Sequence, residues 1–380
     1  MIYLDNSAST FQKPREVIRA TQEALLKFNA NPGRSGHKAS LSTALQIQEV
    51  RSKLKDIFNC ESEQNVIFTQ NCSMALNLAI LGTKKLGGHI ICTENDHNSV
   101  LRAVEHLKNE YGISYSVAFQ SQKGKLTAKD IEKCIQPNTY LVVCNHISNV
   151  NGDKAEIEEI GKLCHKNNLL FLVDGAQSGG HEEIDMQKFH IDFLTLAPHK
   201  GFYSMQGLGV LIARNIDSLS PINFGGTGTN SLELTQPTSS PERFEIGTLS
   251  SPNIISFGAG IDFVNNYYSA IKEKLDDLTT FLNYSLSSLP VKIYTLPFNS
   301  NGVFAYNIAD IHSNEISSYL DEKWNICTRG GYHCAPKKHE ALGTLEQGCV
   351  RISMSYFNNI SDIQHLINAT KTYLRRNKIF

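Results

Sequence analysis

The chain has 380 residues, of which 41% are hydrophobic and 19% charged, and its formal net charge is -1. That length suits a large domain with a smaller one attached, and the composition belongs to a chain that folds throughout. A net charge so near zero sets up no long-range field to draw in nucleic acid or an anionic membrane surface, so a small molecule is the expected partner.

The opening Met1-Ile2-Tyr3-Leu4-Asp5 lacks the basic stretch and apolar run of a signal peptide. No later apolar run approaches the roughly 20 residues of a membrane span, and a cytoplasmic location is expected. From about residue 65 to 213, short runs rich in Val, Ile, Leu and Phe alternate with longer amphipathic stretches. This pattern of strand and crossover helix predicts an α/β fold with a mainly parallel sheet. Strands are expected at 65–69, 89–93, 140–144, 169–173, 193–196 and 209–213. Residues 101–111 and 157–167 carry apolar side chains three and four apart, so each helix can cover a face of the sheet. Ligands of such sheets bind beyond the carboxyl ends of the strands.

Residues 221–253 hold Gly225-Gly226-Thr227-Gly228, Pro237, Pro241 and Pro252 among many Ser and Thr, and read as a long functional loop. The stretch 254–289 has helical spacing with breaks, and leads into two or three strands and two helices ending near Arg376. The expected division is a large domain over 15–253 and a small one formed by 254–380 with the N-terminal segment 1–14. Nine cysteines at irregular spacing, with no Cys-x-x-Cys pair, support neither a disulfide framework nor a structural zinc site. Cys60, Cys92, Cys134, Cys144, Cys164 and Cys349 lie among apolar neighbours and read as small packing residues.

Polar residues directly at the ends of apolar strands are costly to bury unless something binds them. The strand at 169–173 ends in Asp174-Gly175-Ala176-Gln177, that at 193–196 in Ala197-Pro198-His199-Lys200, and that at 140–144 in Asn145-His146-Ile147-Ser148-Asn149. Taken singly, Asp174 is a turn cap and Lys200 a surface lysine. Taken together, an acid and a lysine on neighbouring strand ends match what pyridoxal 5'-phosphate (PLP) requires: an amine for a Schiff base and a carboxylate for the pyridine nitrogen.

With these motifs the chain resembles the class V aminotransferase family of fold-type I PLP enzymes, and within it the cysteine desulfurases and selenocysteine lyases. The resemblance rests on Asp5-Asn6-Ser7-Ala8-Ser9, Arg34-Ser35-Gly36-His37, Asp174-Gly175-Ala176-Gln177, His199-Lys200 and Arg329-Gly330-Gly331-Tyr332-His333-Cys334-Ala335, in that order. It implies a large domain with a seven-stranded, mainly parallel sheet and a small α+β domain. By position it makes Lys200 the Schiff-base lysine, Asp174 the partner of the ring nitrogen and His97 the histidine that stacks on the ring and moves protons. Asn149 and Gln177 match contacts to the phenolic oxygen, and His199 matches a phosphate contact. Ser73 opens a helix after the first strand, and a helix amino terminus with free N–H groups is a natural phosphate site. Thr248 resembles a threonine that reaches the phosphate of the neighbouring subunit, implying a homodimer. Arg351 matches the arginine that clamps the substrate carboxylate, a task for its two-pronged geometry, with Arg329 and Asn149 also at the substrate.

Cys334 separates desulfuration from other PLP reactions, because sulfur removal needs a thiolate that accepts it as a persulfide. Arg329 and His333 nearby are expected to favour that thiolate, and the short Arg-Gly-Gly-Tyr-His-Cys run resembles the group with a compact active-site loop. Cys327 reads as core. The expected reaction is L-cysteine to L-alanine, with the sulfur passed on to an acceptor protein or thiol. Rival readings are a selenocysteine lyase, a class V enzyme acting on another amino acid, and a non-catalytic scaffold that binds a sulfur carrier. The chain departs from relatives at Ala197-Pro198, where Ser-Gly is common, at Asn71-Cys72-Ser73, where Gly-Thr-Thr is more usual, and at Asp96, where Glu usually precedes the histidine.

Overall fold

The structure is a computed structural model that describes residues 1–32, 35–299 and 301–379; Arg34, part of one motif, lies outside the described residues. Its central sheet has seven strands in the order Val66–Thr69, Gly209–Ala213, Phe193–Leu196, Leu170–Asp174, Thr139–Asn145, His89–Thr93 and Ser114–Ala118. Gly209–Ala213 runs antiparallel to both its neighbours, and the remaining pairings are parallel. The six strands read from apolar runs are all present, each within one residue of its expected bounds. The seventh, Ser114–Ala118, escaped that reading because it is an edge strand with its first residue exposed and the next three half-buried, so its sequence carries no apolar run.

Alternate residues of the inner strands enter opposite cores, as the two-residue period of a strand requires. Val142, Phe171, Val173 and Leu194 belong to one hydrophobic cluster, and Leu141, Val143, Leu172 and Phe193 to the other. Both faces are covered, which explains the continuous apolar runs. The helix Asn98–Tyr111 begins three residues before its expected start, because the His97 side chain caps it by accepting the Ser99 N–H.

The breaks expected within 254–289 are absent. Ser251–Ser287 is one helix of 37 residues, about 55 Å long at 1.5 Å per residue. Pro252 stands in its first turn, where proline fits, and Gly260 lies where a side chain would overlap the Phe202 carbonyl. Beyond it, Lys292–Ile293, Val303–Asn307 and Val350–Ser353 form an antiparallel sheet. Three helices accompany that sheet, Ser313–Trp324, Pro336–Leu342 and Ile360–Arg376, where two were expected. The extra one, Pro336–Leu342, has 7 residues, too few to show a period.

The N-terminal segment ties itself to this region: Ile2–Tyr3 pairs in parallel with Ile326–Cys327, and Asp5 bridges Ser353. All nine cysteines are free. Cys60, Cys92, Cys144, Cys164 and Cys349 are buried as expected, whereas Cys134 and Cys327 are half-buried. Cys327 is thus not core, because its strand has two residues and pairs near the chain terminus. Among the described residues no helix is long and apolar enough to cross a membrane.

Candidate functional site

Strand order brings the expected residues to one place. Asp174 ends its strand, and Lys200 follows the adjacent parallel strand, in which Thr195 stands opposite Asp174. Both line a cavity of about 250 Å³. Ser73, at the start of the helix Cys72–Gly82, and His97, Asn149, Gln177 and His199 line it too, as do Arg329 and Arg351 from the second region. Thr248 does not; it lines a separate cavity with Phe68, Met74 and Ser250. Behind the start of the helix, Gly209 sits where any side chain would overlap the backbone of Asn71 and Cys72.

Burial dominates the electrostatics. It pushes the Asp174 carboxyl above its ordinary value, against the opposing Ala176 N–H and the Lys200 cation. The Ala176 N–H donates to Asp174 Oδ1 at 2.9 Å, and the Asn145 amide approaches Oδ2 at 3.5 Å. Burial likewise lowers the Lys200 amine from the ordinary lysine value. His97 is pushed down to about 4, first by burial and then by the Lys200 cation. Its Nδ1 accepts the Ser99 N–H at 3.1 Å, which leaves the ring proton of the neutral form on Nε2. The Ser99 hydroxyl lies 2.9 Å from the same nitrogen and 2.6 Å from the Ser73 hydroxyl. His199 is also pushed down to about 4, mainly by burial.

Arg351 is 1% exposed. Its charge is met by Asp5, and it donates to the Asn149 carbonyl at 3.0 Å, while Nε has no partner. Its backbone pairs with that of Arg329, so both arginines enter from one ladder. Asn149 in turn donates from Nδ2 to the His333 carbonyl at 2.7 Å. Cys334, the next residue, is half-buried and does not itself line the cavity. Its carbonyl accepts the Asn98 N–H at 2.7 Å, and both His333 and Cys334 have left-handed backbones, with φ of 49° and 56°.

One expectation is corrected here. His333 does not supply positive charge to the thiol: burial lowers its ring well below the ordinary histidine value, and it is 2% exposed. The neutral ring donates from Nε2 to the Cys349 carbonyl at 3.0 Å. Arg329 is left as the nearby cation of that pair. The sequence reading assigned no role to Ser7, Cys72, Ser99 and Asn145, all of which line the cavity. Asn145 carried a usable signal, as the polar residue ending an apolar strand. Ser99 carried none, since its contact with His97 exists only once the helix caps.

Several buried polar atoms around the cavity lack partners: Asn145 Oδ1, Asn149 Oδ1, His199 Nδ1 and Arg351 Nε. Each such atom costs about 1–3 kcal/mol unless a ligand meets it. With a buried acid, an amine whose charged form burial disfavours and a helix amino terminus, these residues fit the PLP expected from the sequence: a ring nitrogen, an aldehyde and a phosphate.

The chain is similar to known proteins over nearly its whole length. The chain is 33% identical to a probable cysteine desulfurase of Methanothermobacter thermautotrophicus, over 96% of this chain and 92% of the relative. It is 32% identical to a probable cysteine desulfurase of Pyrococcus abyssi, over 99% and 94%. The apo structure of a cysteine desulfurase from Thermococcus onnurineus superposes with a TM-score of 0.91 at 31% identity, covering 98% of this chain and 94% of that one. The family model for aminotransferase class V matches residues 2–366, and the chain belongs to that family.

Proposed function

We propose that this chain is a PLP-dependent cysteine desulfurase that converts L-cysteine to L-alanine and holds the sulfur on Cys334. The observation that carries the reading is the meeting of Lys200, Asp174 and Arg351 in one cavity, bordered by a loop that holds Cys334 next to a cavity-lining residue. PLP bound there supplies an electron sink for charge developed at the substrate α-carbon. Ser73 and His199 would hold its phosphate, Asn149 and Gln177 its phenolic oxygen, and Asp174 its ring nitrogen. Arg351 grips the substrate carboxylate. Lys200, its amine favoured in the neutral form by burial, would remove the α-proton, and the neutral His97 would face the ring and pass protons through Nε2.

Cys334 Sγ then forms a bond to the substrate sulfur while the carbon–sulfur bond breaks. The electron pair leaves with the carbon skeleton, which is protonated and released as alanine. The persulfide passes to an acceptor protein or thiol. The working unit is a homodimer in which Thr248 reaches the partner's phosphate site; its place in a cavity apart from Lys200 supports that reading. The joining of the N-terminal segment to the small domain is supported by the pairing of Ile2–Tyr3 with Ile326–Cys327, and the division proposed at 253 falls in the first turn of the helix Ser251–Ser287. The test is to incubate the purified protein with cysteine and measure alanine and protein-bound persulfide together. Cys334→Ala abolishes both while the absorbance of bound PLP stays; full retained activity refutes the assignment.

A further inference from the structure

Four residues beyond Cys334, in the helix Pro336–Leu342, stands a lysine that the reaction does not use. Lys338 is 1% exposed. Its ammonium lies 2.8 Å from Glu94 Oε1 and 2.7 Å from Asp153 Oδ2. The other two carboxylate oxygens are also met: the Gln120 N–H donates to Glu94 Oε2 at 3.0 Å, and Asn299 Nδ2 donates to Asp153 Oδ1 at 2.7 Å. Burying three charges is warranted only when every one is paired in this way, and removing one partner strands the others.

The partners fall at telling places. Glu94 directly follows the strand His89–Thr93 and precedes His97 by three residues, while Asp153 follows Asn149 by four. Lys338 therefore joins the exit of the Cys334 loop to the two segments that carry the ring-stacking histidine and the loop-binding asparagine. That loop needs holding. Two consecutive non-glycine residues, His333 and Cys334, have left-handed backbones, a conformation they leave unless surrounding contacts impose it. The Asn149 and Asn98 hydrogen bonds pin the carbonyls of residues 333 and 334, and the ion cluster pins the short helix into which the loop runs.

We propose that Lys338, held between Glu94 and Asp153, is a positioning residue that fixes the Cys334 loop against the cavity. The inference rests on the desulfurase reading for its consequence, though not for its geometry. Lys338→Met alone leaves two carboxylates facing each other, so the decisive protein is the charge-free triple variant Lys338→Met, Glu94→Gln, Asp153→Asn, which keeps the shapes. It is expected to take up PLP with native absorbance and to keep KM for cysteine within about twofold, while persulfide formation on Cys334 slows about tenfold or more through lost alignment. Alkylation of Cys334 by iodoacetamide, followed on its tryptic peptide without cysteine present, is expected to speed up severalfold as the loop loosens. Native persulfide and alkylation rates in the folded triple variant overturn the proposal, as does failure of PLP uptake in step with activity, the mark of a merely structural role. Should the native chain itself form neither alanine nor persulfide, the functional reading fails, and the alkylation comparison still decides on the clamp.

Discussion

Arg351→Lys offers a sharp test of how the site holds its substrate. The guanidinium spends one nitrogen on Asp5 and one on the Asn149 carbonyl, and its buried Nε has no protein partner. The planar fork thus faces three ways at once, which a lysine ammonium on a flexible stem does not reproduce. Lysine keeps the charge, so the loss is that of directed contacts. Hydrogen bonds to charged groups contribute about 1.5–3 kcal/mol each, and losing the substrate contact with part of one anchor costs roughly 2–3 kcal/mol. That is about a 30- to 150-fold fall in kcat/KM, expressed mainly in KM because the carboxylate contact is present before and during the reaction. Steady-state alanine release from cysteine measures it. Cysteine ethyl ester, which has no carboxylate to bind, supplies the control, and the variant and native proteins should bind it alike. An unchanged KM for cysteine, or an equal loss with the ester, refutes the reasoning.

Other consequences concern stability and cofactor uptake. Arg51 and Glu245 form a buried ion pair at 2.6 Å, with 5% and 7% of their side chains exposed, and Glu245 also accepts the Phe68 N–H at 2.7 Å. Glu245→Gln strands the Arg51 charge and should cost about 3–5 kcal/mol, read as a lower urea midpoint. His97 and His199 each sit at about 4 in the folded chain against an ordinary 6.5, so the unfolded chain binds their protons first. The contribution of these two rings to stability is therefore complete above pH 6.5 and falls as the pH drops from there toward 4, by up to about 3 kcal/mol per ring. His97→Gln should flatten that decline in denaturation of the cofactor-free protein between pH 7.5 and 4.5; an unaltered slope counts against the buried neutral ring. Gly209→Ala forces the Asn71–Cys72 turn outward at a cost of about 1–3 kcal/mol and should weaken PLP affinity roughly tenfold in an absorbance titration, with no change expected if that turn does not carry the phosphate site.

Much of the fold and the centre of the site were legible in the sequence, because both follow from local rules. Fully buried strands must be apolar along their length, so six of seven showed themselves, and a polar group ending such a strand advertises a ligand. Asp174, Lys200 and Asn145 all stand at such ends. What lacks a local rule stayed hidden. The edge strand Ser114–Ala118 is half wet, so its sequence has no apolar run. The long helix Ser251–Ser287 runs unbroken through Gly260, which stands where a side chain would overlap the Phe202 carbonyl, a contact no window of sequence contains.

The amino-acid sequence by itself determined which elements exist, where their polar ends lie, and that an acid, a lysine and a cysteine were available for one chemistry. Tertiary structure alone decided the charges. Asp5 meets Arg351 across 346 residues, Lys338 meets Glu94 across 244 and Asp153 across 185, and His333 loses its proton to burial rather than lending a charge to Cys334. The reason is that apolar periodicity is a property of neighbours along the chain. Whether a buried ionisable group is charged depends on desolvation and on partners that only packing brings within hydrogen-bonding distance.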